Sequence, residues 1–343
     1  MEEEFSLTGM TEDMGINSVL FGFIGLCQMA FPRRLRACFL LGSHATGDGV
    51  ADSDLDLLLV FKDRFQDGEV ERHEHFRRSV GMMARYPLDV SAVDEARLVA
   101  EGAVNLKRAS LLLAGEDIRE RVPLMPLEQW LRFCMHRPYM FMERARARAE
   151  GEPLRYPLAY PDPRGELYGY DHSAVLDAQG LPHRGFKELV TLASRLAAAE
   201  VALAGKHVFS KRDAIEAHRL HVNNERTLLF EQIHECRKRW GYRVPEAAED
   251  QAHLRSLCAR MLDAENHFLG LYKDYLLAEL QRGAVRDRVQ AARRLGEILY
   301  LGPEAPAALT RLQDAPEPEL REAARESLHL IERYAASRNP PAA

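Results

Sequence analysis

Cysteine is scarce and badly placed for cross-linking: five residues (Cys27, Cys38, Cys134, Cys236, Cys258), an odd number, far apart and without a C-x-x-C pair. That spacing suggests neither a disulfide framework nor a zinc site, and it predicts a reduced, cytoplasmic protein. Long apolar runs are lacking too. The stretch from Val19 to Phe31 is too short to span a bilayer, and the start Met1-Glu2-Glu3-Glu4 is acidic where a signal peptide would be basic, so neither membrane insertion nor export is expected. Positive charge is not in excess: a net charge of −6 and a pI near 6.1 give no general pull toward nucleic acid, so no DNA partner is expected. What the chain does have is apolar content, 46% of 343 residues, which argues against disorder and suffices for two domains with sizeable cores.

The most informative stretch is Ala37 to Phe61, ACFLLGSHATGDGVADSDLDLLLVF. An apolar strand running into Gly42-Ser43 can turn into a helix whose first backbone N–H groups face a phosphate. In a strand, residues two apart share a face, so Asp54 and Asp56 point together while Leu55 and Leu57 point into a core. Two carboxylates side by side repel each other, and such a pair is tolerated when a divalent cation lies between them; oxygen-only ligands beside phosphates suit Mg²⁺. An acidic turn before a buried strand would give the same D-x-D, and the Gly-Ser upstream is what separates the two readings. Around this stretch the pattern is strand, helix, strand: a helix from Ile16 to Cys27 ended by Pro32, strands at Ala37–Leu41 and Leu55–Phe61, a charged helical segment from Gly68 to Tyr86, and a β-rich run from Leu88 to Val93. A small mixed sheet backed by helices is expected.

LLGSHATGDGVADSDLDLLLV resembles the signature of the nucleotidyltransferase superfamily that includes DNA polymerase beta and the aminoglycoside adenylyltransferases: hydrophobic strand, Gly-Ser, a connector with Gly, then Asp-x-Asp and hydrophobics. The family carries a third carboxylate on a later strand, and Asp89 in PLDVSAV fits that place, although the adenylyltransferases often have Glu there. LKRASLLLAGEDIRE (106–120) is similar to the family segment ending in Gly-Glu-Asp. A second resemblance, ELVTLASRLAAAEVALAGKHVFSKRDAIE, is to the helical domain of the aminoglycoside adenylyltransferases of the streptomycin/spectinomycin type, where Thr-Leu-x-Arg precedes Gly-Lys-x-x-x-Lys. By that comparison Lys211 and Arg195 match residues that contact nucleotide phosphates. The spacing between them is a few residues longer here.

Further helices are expected at Leu127–Glu150 with a kink at Pro138, at Gly185–Ala204 stopped by Gly205, at Glu225–Trp240 and at Glu249–Gln281, summing to a helical bundle. Past Gly283, VQAARRLGEI and LREAARESLHLI share Ala-Ala-Arg, with a helix from Ala305 to Gln313 between them, and resemble HEAT-type repeats. Between Leu154 and Pro182 the chain is rich in Pro, Gly, Tyr and Asp; Tyr156, Tyr160, Asp162, Glu166, Tyr168, Tyr170 and Asp171 could line a polyhydroxylated cationic ligand or simply anchor a loop.

The expected fold is therefore α+β: a polymerase-beta-like nucleotidyltransferase domain over residues 1–120, an all-α substrate- and nucleotide-binding domain over 121–282, and a HEAT-like helical extension over 283–343. The resemblance implies a magnesium-dependent adenylyltransferase conferring antibiotic resistance, with two Mg²⁺ ions held by Asp54, Asp56 and Asp89 and ATP as co-substrate. Asp89 would be the base for the acceptor hydroxyl. Gly42, Ser43, Ser53, Arg195 and Lys211 would bind the nucleotide. The expected acceptor is an aminoglycoside-like small molecule; a protein or tRNA hydroxyl, as for antitoxin-type nucleotidyltransferases, is the alternative. A ribonuclease reading on Arg212 and His218 in RDAIEAH is a remoter rival.

Overall fold

The computed structural model describes residues 5–83, 86–145, 152–159, 167–176 and 180–338. The chain forms two compact units, neither contiguous in sequence: residues 1–134 with 173–251, and residues 135–172 with 252–343.

The first unit is built on a four-stranded mixed sheet in the order β3-β2-β1-β4. Helix α1 (Met14–Ala30) precedes β1 (Leu35–Leu41), a single helical turn α2 (Gly42–Ala45) follows, and a connector leads to β2 (Leu55–Phe61). Helix α3 (Glu69–Met83) crosses over to β3 (Leu88–Asp94), which is parallel to β2, and α4 (Glu95–Glu101) and α5 (Asn105–Arg108) lead to β4 (Leu111–Gly115). The period of two sorts the strand residues onto two cores. Cys38, Leu40, Leu55, Leu57, Leu59 and Phe61 pack with Leu20, Phe23 and Ile24 of α1 and Val80 of α3. Ala37, Phe39, Leu58 and Val60 pack on the other face with Leu98 of α4, Leu106 of α5, Ile118 and Val122.

The helices and strands expected from the apolar pattern form close to their expected limits, while α4, α5, β4 and a hairpin of residues 174–176 and 182–184 are not among those expected from it. β4, pairing antiparallel with β1, lies inside LKRASLLLAGEDIRE, where three leucines in a row show neither period. Its pairing with β1, rather than its local pattern, makes it a strand.

The same unit holds the hairpin β5 (Ala174–Leu176) and β6 (Pro182–Arg184), then α7 (Lys187–Leu203), α8 (Lys211–His221) and α9 (Thr227–Trp240), which pack on one another. Gly205, at φ +78°, ends α7 as its sequence position predicts. Ser210 caps α8 by accepting from the Asp213 N–H at 3.1 Å, while the Asp213 carboxylate accepts from the N–H of Phe209, the residue before the cap, at 2.7 Å.

Helix α6 (Leu127–Ala145), with Pro138 inside it, and the 35-residue α10 (Ala248–Arg282) contribute residues to both units. In the second unit, α11 (Val285–Glu297), α12 (Glu304–Arg311) and α13 (Pro318–Arg338) occupy the three helical segments of the C-terminal region. α11 and α13 approach so closely that a Cβ on Gly296 would lie 2.6 Å from Ser327. All five cysteines are buried.

Candidate active site

Register places the carboxylates. Asp56 pairs with Leu41 on antiparallel β1 and with Asp89 on parallel β3, so Asp56 and Asp89 are direct neighbours on one face of the sheet. Asp54 stands two residues before Asp56, just ahead of β2. Gly42, at φ +67°, is the close approach that makes room: a Cβ there would meet Asp56 Oδ2 at 2.0 Å. No side chain caps α2, and the Ser43 carbonyl accepts from Asp48 N–H at 2.9 Å.

Electrostatics distinguish the two aspartates. Burial pushes Asp56 up to about 6, reinforced by the charges of Asp54 and Asp89 and opposed by Lys211 and Lys187. For Asp54 burial acts in the same direction, but the charge and hydrogen bond of Lys187, with help from Lys211, outweigh it and hold the carboxyl below its ordinary value. Lys187, the first residue of α7, sets its Nζ 2.9 Å from Asp54 Oδ2.

A ring organises the cations. Tyr242 is buried, and its ring centroid lies 5.5 Å from Lys187 Nζ, 5.5 Å from Lys211 Nζ and 5.4 Å from Arg237 Cζ. Lys211 Nζ reaches Thr191 Oγ1 at 3.3 Å and Tyr242 OH at 3.4 Å. Burial works to raise the Tyr242 hydroxyl, yet the surrounding Lys211, Arg237 and Lys187 bring it below its ordinary value.

The connector between Gly42-Ser43 and Asp54 is fastened to the helices of the same unit. Arg237, with no exposed side-chain surface, sends Nη1 to Asp48 Oδ2 at 2.9 Å, Nη2 to the Asp48 carbonyl and Nε to Tyr242 OH at 3.0 Å. Arg243 grips Asp52 through Nη2 at 2.8 Å and Nε at 3.1 Å. Gly241, at φ +64°, lets that pair close, since a Cβ there would stand 2.8 Å from Asp52 Oδ2. Ser53 is buried, and its Oγ accepts from Val50 N–H at 3.1 Å while its own N–H donates to the Val50 carbonyl at 2.9 Å. Its hydroxyl therefore closes a turn in the connector.

Of the residues the sequence singles out, the structure brings together Gly42, Asp54, Asp56, Asp89 and Lys211, and places Ser43 beside Gly42 in α2 and Ser53 on the connector before β2. Arg195 is half-buried just over two turns along α7 from Lys187, and none of the contacts above runs through it. Lys187, Tyr242, Arg237 and Arg243 escape a sequence reading; Lys187 alone leaves a trace, as a lysine opening a helix, where the macrodipole disfavours it.

His218 corrects the ribonuclease reading. It is wholly buried, with Nε2 3.3 Å from Glu200 Oε2 and Nδ1 3.0 Å from Thr227 Oγ1, so it cannot face an RNA backbone. Glu200, bonded also to Asn224 and Arg226, is held down to about 2 despite its burial, so this is a structural knot joining α7, α8 and α9. In the second unit, Tyr170 is buried with its hydroxyl on Glu265 and the Tyr156 ring packs 5.0 Å from Tyr300, which are anchoring contacts. Tyr160, Asp162 and Glu166 lie outside the described residues.

Among the described residues no group of three or more His, Cys, Asp or Glu side chains is arranged to hold a metal ion. The pair Asp54 and Asp56 nevertheless has the chemistry of a hard-cation site: two carboxylate donors, mutually repelling, with Asp56 driven toward protonation by burial and by the charge of Asp54 beside it. Mg²⁺ commonly takes just one or two carboxylates and completes its shell with substrate phosphates and water.

No known family model matches the chain. A curated relative, "Putative protein adenylyltransferase MJ1305" of Methanocaldococcus jannaschii, is 32% identical over 107 residues, which are 31% of this chain and 69% of the relative. The chain belongs to this nucleotidyltransferase-like family. No helix among the described residues is long and apolar enough to cross a membrane.

Proposed function

We propose that the protein transfers AMP from ATP to a hydroxyl group, releasing pyrophosphate. The observation that carries this reading is the convergence, in one compact unit, of Asp54, Asp56 and Asp89 with Lys211 and the tight Gly42 turn. Asp54 and Asp56 would hold Mg²⁺, with Asp89 as third carboxylate. Bound there, the ions would neutralise charge on the attacking and leaving oxygens of an in-line displacement. Lys211 and the backbone N–H groups of Gly42 and Ser43 bind phosphate oxygens, and Ser53 shapes the loop that presents them. Arg195 is assigned to the nucleotide on the sequence resemblance alone. Asp89, exposed at the sheet edge and in register with Asp56, accepts the proton of the acceptor hydroxyl.

Two acceptor classes each have an observation behind them. A protein hydroxyl is favoured by the name of the relative, whose match spans under a third of this chain. An aminoglycoside-like molecule is favoured by the resemblance over 188–216, a segment whose Lys211 adjoins Tyr242. The test is pyrophosphate release from ATP and Mg²⁺ with a panel of aminoglycosides in one arm, and transfer of label from [α-³²P]ATP to macromolecules of a lysate in the other. Turnover in either arm, falling at least about a hundredfold in Asp54→Ala and Asp56→Ala, is the expected result. Absence of turnover in both arms with folded protein overturns the reading.

A further inference from the structure

Lys187 takes no part in the transfer as described, and its place is poor for the helix it opens. A cation in the first turn of a helix opposes the macrodipole, and Phe186 at the cap position offers no side-chain hydrogen bond to offset it. The backbone is nevertheless firmly located there, because Phe186 N–H donates to the Tyr242 carbonyl at 2.8 Å. Motion is therefore left to the side chain. Lys187 and Asp54 keep 28% and 31% of their side-chain surface exposed, so the pair can part without uncovering a buried charge. Its ammonium lies as far from the Tyr242 ring centre as that of Lys211 does, so one aromatic surface serves both lysines.

Resting on the nucleotidyl-transfer reading, we propose that Lys187 is an exchangeable counter-ion. In the empty site it neutralises Asp54; when a nucleoside triphosphate arrives with its divalent cation, Lys187 yields Asp54 to the cation and turns its ammonium to the phosphate chain. The residue type fits, since a lysine carries a point charge on a rotatable stem whereas an arginine fork holds one geometry. The consequence is that Lys187 opposes a cation binding alone and favours a cation binding with nucleotide. A residue that only supported the fold would move both affinities the same way.

The experiment compares wild type with Lys187→Met, which keeps an apolar stem against Tyr242, and Lys187→Arg. Binding of Mn²⁺ alone is read from the electron paramagnetic resonance of the free ion, and binding of the α,β-methylene analogue of ATP with Mg²⁺ by calorimetry. For Lys187→Met the expected result is Mn²⁺ affinity raised about tenfold without nucleotide and analogue affinity lowered about tenfold, the scale of one charge in a partly screened site. Lys187→Arg should restore most of the analogue affinity and leave Mn²⁺ binding at or below the wild-type level. Unchanged Mn²⁺ affinity in Lys187→Met, or both affinities moving together, overturns the proposal while wild-type binding keeps the transfer reading intact. Wild-type protein that binds neither probe, and that Asp54→Asn and Asp56→Asn leave unaltered, overturns both.

Discussion

Four aspartates lie within nine positions, and the structure divides them into two kinds. Asp48 and Asp52 face arginines, are largely shielded from water, and fasten the connector to α9 and the turn that follows it. Asp54 and Asp56 face lysines and stand half-open at the start of β2. An arginine fork gives a fixed pairing, while a lysine on a flexible stem can be exchanged for another cation. The first two aspartates thus shape the loop, and the second two are the pair proposed for the chemistry.

Removing a fixed pairing should have the largest effect. Arg237→Met leaves the Asp48 carboxylate shielded without its partner, and breaking such a pair costs about 3–5 kcal/mol, measurable by urea unfolding. A loss under about 1 kcal/mol would show that the staple is not structural.

The exchangeable side predicts the opposite sign. Asp56 has its pKa raised from 3.8 to about 6, so its ionisation opposes folding: the stability is full below pH 4 and is lost as the pH rises through 6. Asp56→Asn should therefore stabilise metal-free protein by up to about 3 kcal/mol at pH 7–8, with no gain below about pH 4, while turnover disappears. A stability gain that does not depend on pH contradicts the assignment.

The smallest effect belongs to the more exposed fixed pair. Arg243 keeps 38% of its side-chain surface open to solvent, and Arg243→Ala should cost about 1 kcal/mol or less at physiological salt. A loss as large as that of Arg237→Met would erase the distinction between the buried and the partly screened staple.

The sequence makes visible what is local. Asp54 and Asp56 announce themselves by a two-residue spacing, and α1, β1 and β2 by apolar period. Asp89 and Lys211 emerge only through resemblance, and both fall beside the pair. What stays hidden is non-local. Asp48 reads as one more polar residue of a glycine-rich loop until Arg237, 189 residues away, is brought to it. Lys187 has no signature beyond its uneasy place at a helix start, and β4 gains its identity from β1.

The staple between Asp48 and Arg237 also sets an order of events during synthesis. The last strand of the sheet, β4, ends at Gly115, whereas the arginines that hold the connector come at 237 and 243. At a translation rate of about 5–20 residues per second, a ribosome needs on the order of ten seconds to cover that interval. Throughout it, all four strands have been made while the arginines that hold the connector have not, so the loop between α2 and β2 is fixed only once α9 and the turn after it have emerged.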